Sequence, residues 1–184
     1  MAWYRNLSRR EFIKTAAAAA VLSGAAACTG SRSPWRFLKV EEARTLAAMC
    51  DRIIPPDADS PGAEWASVVN YIDIQLCGPF QYLQDKYRDG IASLERTSQK
   101  QFGKAFAALE DAQQTQMLAA LEKNDAPKEL WTSVSAGEFF EMVLPHTMQG
   151  YYGDPRHGGN RERASWKMLG LPYPPVRGRF RNES

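Results

Sequence analysis

Between Val40 and Ile54 the apolar residues fall at spacings of three and four. Val40, Ala43, Leu46, Ala47, Met49, Cys50, Ile53 and Ile54 therefore share one face of a helix. Glu41 and Glu42 place negative charge in the first turn, where the helix dipole favours it. Pro55-Pro56 then ends the helix, because proline lacks the amide donor and disfavours helical geometry in the residue before it.

The same period returns along the chain. A second helix carries Trp65, Val68, Val69, Ile72 and Leu76 on one face and stops at Gly78-Pro79. A third runs from about Phe80 to Arg96, with Leu83, Tyr87, Ile91 and Leu94 inward. Phe102, Phe106 and Leu109 fit either a helical turn or a short extended piece. A fourth helix, about 111–123, buries Met117, Leu118 and Leu121, and a fifth, about Ser135 to Met148, buries Phe139, Phe140, Val143 and Leu144. Pro145 lies inside the fifth and predicts a kink or an early stop. A short helix is expected around Arg163 to Leu169. No alternation of period two persists long enough for a strand. The pattern predicts an all-α fold: a single helical bundle domain with long Gly/Pro-rich loops and an extended C-terminal tail.

The first 27 residues stand apart. SRREFIKT, with Arg9 and Arg10, has the form of a twin-arginine export signal. The apolar run that follows, TAAAAAVLSGAAA, is shorter than the roughly 20 residues a spanning helix needs. Residues 1–27 are therefore read as a cleavable targeting segment, 28–39 as a linker, 40–170 as the helical domain and 171–184 as the tail. Cys28 has two readings: the first residue after an ordinary small-residue cleavage site, or a lipid-bearing N-terminus.

Residues 1–27 hold four basic residues and one acidic. Of the 23 basic and 21 acidic residues in the chain, 19 and 20 remain, so a net charge of +2 becomes −1. The basic balance belongs to the leader, and no nucleic-acid partner is expected. Cys50 and Cys77 could pair in an oxidising compartment or remain two separate buried thiols.

The last third is dense in unusual residues. Gly150 to Asn160 reads GYYGDPRHGGN, a composition that predicts irregular backbone rather than helix. Motifs for covalent haem, zinc ribbons, dinucleotide folds, serine-hydrolase elbows and zinc-protease helices are missing from the sequence. His146 and His157 read as a helix-end and a loop histidine, with a shared metal as the rival reading. Asp57, Asp59 and Asp154 read as turn formers. A chain with a folded-protein export leader and no cofactor motif of its own fits a carrier for a partner folded beside it.

Two stretches, IIPPDADSPGAEWASVVNYIDIQL and FFEMVLPHTMQGYYGDPRHGGNRERASWKMLGLP, resemble the gluconate 2-dehydrogenase subunit 3 family. The resemblance spans roughly Val40 to Pro174. It implies a small subunit with no redox centre, bound to a large FAD-carrying flavoprotein of the glucose–methanol–choline oxidoreductase type. It implies, further, a sugar or sugar-acid substrate for that partner, electron transfer to a cytochrome c subunit carrying haem c or to another acceptor, and export by the twin-arginine translocase to the periplasm. No catalytic residue is carried over. Tyr151, Tyr152, Asp154, Arg156, His157, Asn160 and Trp166 are the candidate partner interface, the alternative being that this loop caps the bundle internally. A stand-alone carbohydrate-binding protein using Tyr151, Tyr152 and Trp166 is the competing function.

Overall fold

The computed structural model describes residues 33–172, and these form six α-helices without a strand among them. In chain order they are α1 (Val40–Ile53), α2 (Val68–Leu76), α3 (Gln84–Phe102), α4 (Asp111–Glu122), α5 (Ala136–Tyr152) and α6 (Ala164–Met168). The leader, including Arg9 and Arg10, Cys28 and the tail from residue 173 lie outside the described residues. No helix among the described residues is long and apolar enough to cross a membrane.

Helix α1 is the central element and packs against α2, α3, α4 and α5. Its buried stripe is Ala43, Leu46, Met49 and Cys50, while Val40 at its first turn is exposed, against expectation. Glu42 accepts the amide of Lys39 at 2.8 Å, so one acidic residue caps the start directly. Ile54 leaves the helix with φ −129° and ψ 83°, outside the helical region that the following proline disfavours.

The segment ahead of α1 is docked onto the bundle rather than trailing from it. Asp73, buried in α2, accepts the amides of Arg36, Phe37 and Leu38 at 2.7, 3.0 and 2.9 Å. Leu38 is buried and Arg88 lies over the Phe37 ring at 4.4 Å. Part of the stretch read as linker therefore belongs to the packed unit.

Helix α2 starts later than the periodicity predicts. Ser67 has a left-handed backbone (φ 59°), so Trp65 falls in the preceding turn and is 42% exposed, while Ala63 and Ala66 fill the core. Helix α3 runs beyond Arg96, and Phe106 enters the core from a 3-10 turn bounded by extended residues at Ala105 and Leu109, so the unclear stretch holds both forms. Glu95 anchors that turn by accepting from the Phe106 amide and from Thr45 Oγ1.

Pro145 does not end α5, which continues through Tyr152. The proline is on the exposed side, where water can reach the carbonyl it leaves without a donor, and Phe139, Val143, Thr147 and Tyr151 hold the other side in the core. Gly90 of α3 permits this packing, since a Cβ there would lie 2.1 Å from the Phe139 ring. Phe140 is only half-buried and Leu144 is exposed, so two residues expected in the core are not in it.

Cys50 and Cys77 are both free. Cys50 is buried in α1, where it accepts from Thr147 Oγ1 at 3.2 Å, and burial pushes its thiol up to about 12. Cys77 is exposed at the end of α2. The disulfide considered from the sequence is not formed, because one sulfur faces the core and the other solvent.

Candidate partner interface

The GYYGDPRHGGN segment is built around the end of α5. Its first three residues, Gly150, Tyr151 and Tyr152, are the last turn of that helix, so the irregular backbone begins only at Gly153. A helix end leaves carbonyls without intrahelical donors. Here three successive carbonyls find side-chain donors from the residues that follow. Ser165 Oγ donates to Tyr151 at 2.7 Å, Trp166 Nε1 to Tyr152 at 2.8 Å, and Asn160 Nδ2 to Gly153 at 2.8 Å. Asn160 also accepts the Ser165 amide at 3.1 Å and is fully buried.

The loop between them presses onto the bundle. A Cβ on Gly159 would lie 2.1 Å from the Gly150 carbonyl oxygen, so only glycine lets the two backbones touch. Gly158 has φ +97° and its carbonyl accepts from Asn70 Nδ2 at 2.8 Å. Asp154 makes the expected Asx turn: Oδ1 accepts the Arg156 amide at 3.0 Å and Oδ2 accepts Arg156 Nε at 2.9 Å. These hydrogen bonds from Arg156 lower the Asp154 carboxyl to about 2. Asn160, Glu162 and Arg163 all have positive φ, a conformation that costs side-chain-bearing residues on the order of 1–3 kcal/mol each. The Arg161 amide donates to the Ala66 carbonyl at 3.1 Å and helps hold that backbone.

The seven sequence candidates therefore divide. Tyr151 and Asn160 are fully buried and serve the fold, as the internal-cap alternative expects. Tyr151 donates to the Pro61 carbonyl, which removes it from any surface platform for a sugar. Tyr152, Arg156 and His157 are exposed, and Asp154 and Trp166 are half-buried. On the helix leading to them, Leu144 and Met148 are also exposed, and the spacing of four carries them in line with Tyr152. From the sequence Leu144 is expected in the core, and Met148 is not among the expected site residues. The signal was present, because 144, 148 and 152 lie on the face opposite the buried 139, 143, 147 and 150.

His146 is not a helix-end residue. It is buried inside α5, with Nδ1 2.7 Å from the Tyr87 hydroxyl and its ring stacked on Phe80 at 4.3 Å. Burial pushes its imidazole below the ordinary value. His157 sits in the exposed turn after Asp154, and no three His, Cys, Asp or Glu side chains among the described residues are grouped to hold a metal.

No curated protein and no solved structure matches the chain significantly. The model of the gluconate 2-dehydrogenase subunit 3 family matches residues 40–172, from the first turn of α1 to the last described residue. Matched across its whole helical unit, the chain belongs to the gluconate 2-dehydrogenase subunit 3 family.

Proposed function

We propose that this chain is the non-catalytic small subunit of a periplasmic sugar or sugar-acid dehydrogenase, and that it exports, assembles and stabilises the catalytic subunit. Membership of the family makes it a subunit of a multi-subunit gluconate dehydrogenase complex. In this reading the partner is a flavoprotein of the glucose–methanol–choline type that holds FAD and performs the oxidation. A cytochrome c subunit carrying haem c is a further partner that receives the electrons. In its lipid-bearing reading, Cys28 would attach the complex to the membrane face once the leader is removed.

The observation that carries the proposal is the family match over the entire helical unit. The SRREFIKT leader supports the export role, because the twin-arginine route accepts folded cargo and a flavoprotein must fold around its cofactor. The exposed Tyr152, Arg156 and His157 give the chain residue types suited to binding a protein surface.

The export role is tested by replacing Arg9 and Arg10 with lysines in the native host and following both subunits by fractionation. Both are expected to remain in the cytoplasm. A flavoprotein that still reaches the periplasm in full would remove the export role.

A further inference from the structure

Helix α5 has a second apolar row opposite its core face. Phe140, Leu144, Met148 and Tyr152 lie four residues apart, so their side chains follow one another along the helix. Leu144, Met148 and Tyr152 are 37%, 41% and 37% exposed. Single apolar residues on a surface are ordinary, whereas three aligned on one helix face offer a continuous apolar contact strip. Spanning twelve residues at 1.5 Å each, it is roughly 18 Å long, the length of a three-turn helix.

The row opens sideways into a groove of about 260 Å³ between the end of α1 and helices α4 and α5. Ile53, Leu118, Ala119, Phe140 and Leu144 provide its apolar lining. Its margin is acidic. Glu122 lines the groove and Glu141 stands exposed beside Phe140, and neither carboxylate has a hydrogen-bond or ion-pair partner among the described residues. Arg52, the cation in the wall, is already held by Asp111 at 2.6 Å and Asp51 at 3.4 Å.

We infer that this row and groove seat an apolar segment of the catalytic subunit, flanked by arginine or lysine side chains that meet the Glu122 and Glu141 carboxylates. The inference rests on the proposed role of the chain as a complex subunit and adds where the partner binds. The charge argues for this occupant over others. At the groove end of the row, Glu122 and Glu141 would repel an anionic lipid surface. A second copy docked about a twofold axis would bring the acidic margins together.

The test co-expresses the C-terminally tagged full chain with the flavoprotein and measures flavin retained on the tag at increasing salt. Two double variants are compared with wild type: Leu144→Asp with Met148→Asp, and Glu122→Lys with Glu141→Lys. Each is expected to lower retention at least tenfold while keeping the wild-type circular dichroism melt. If the first variant unfolds, the second decides, since it changes only exposed charges. Wild-type retention in both variants would overturn the inference and leave the small-subunit role intact. Wild type that itself retains no flavoprotein would overturn both. A concentration-dependent dimer of the free chain, abolished by the Leu144/Met148 variant, would assign the row to a second copy and overturn the inference.

Discussion

The hydroxyl of Tyr151 donates to the carbonyl of Pro61 at 2.6 Å, joining the last turn of α5 to the loop that follows α1, ninety residues earlier. Ser60 Oγ shares the same hydroxyl. Its neighbour Tyr152 points outward, with its ring edge-on to that of Tyr151 at 4.9 Å between centroids. Two adjacent tyrosines thus have opposite duties. Tyr151→Phe should cost about 1–2 kcal/mol of stability, read as a lower Tm, with partner retention per folded molecule unchanged. Tyr152→Ala should leave stability within about 1 kcal/mol of wild type, the loss of its edge-on contact with Tyr151, and weaken retention. The reverse pattern would place the interface on the wrong tyrosine.

Asp73 holds three amides of the segment that leads into α1. Asp73→Ala leaves these donors without their carboxylate and should cost about 3 kcal/mol. Hydrogen exchange at residues 36–38 should accelerate, because those amides lose their acceptor. Asp73→Asn retains one acceptor oxygen and should cost less than the alanine change. Unchanged exchange in the alanine variant would show that other contacts fix the segment.

The thiols should behave as strangers to each other. With Cys28 replaced by serine, a thiol reagent at pH 8 should label one cysteine of the native protein rapidly, namely Cys77. Cys50, with its thiol raised to about 12 by burial, should react only after unfolding. An oxidised sample with no reactive thiol even when denatured would mean that the two sulfurs do pair.

Burial lowers the folded-state value of His146 below its ordinary 6.5, so the unfolded chain takes up the proton more readily. The linkage sign follows: the unfolded state binds more protons, and stability falls as pH drops through about 6.5. Between pH 7 and 5 the slope should approach at most about 1.4 kcal/mol per pH unit. His146→Gln, which keeps a partner for the Tyr87 hydroxyl, should flatten that slope. Chemical denaturation at several pH values checks this, and an equal slope in the variant would assign it to other groups.

Most helices were legible in the sequence because one face of each is buried. Met117, Leu118 and Leu121 of α4 sit in the core as their spacing predicts. The failures have local causes. Trp65 keeps the period but lies beyond the left-handed Ser67 that delays α2. Pro145 reads as a stop, yet its solvent-side position makes it tolerable. Leu144 reads as core because hydrophobicity alone does not tell an inward face from one that awaits a partner. The candidate loop was half legible. Its aromatic and glycine density was visible, but its main use is to cap α5, through donors at Asn160, Ser165 and Trp166 that only the folded geometry brings to those carbonyls.

In the proposed role this chain works only as part of a flavin-dependent complex. The most direct measurement is to purify the C-terminally tagged chain from its own host, with the candidate flavoprotein expressed. Visible flavin absorbance and dye-linked sugar oxidation are then recorded in the eluate. A yellow complex containing a large second chain, active on at least one sugar or sugar acid, is expected. A colourless single chain under mild conditions would contradict it.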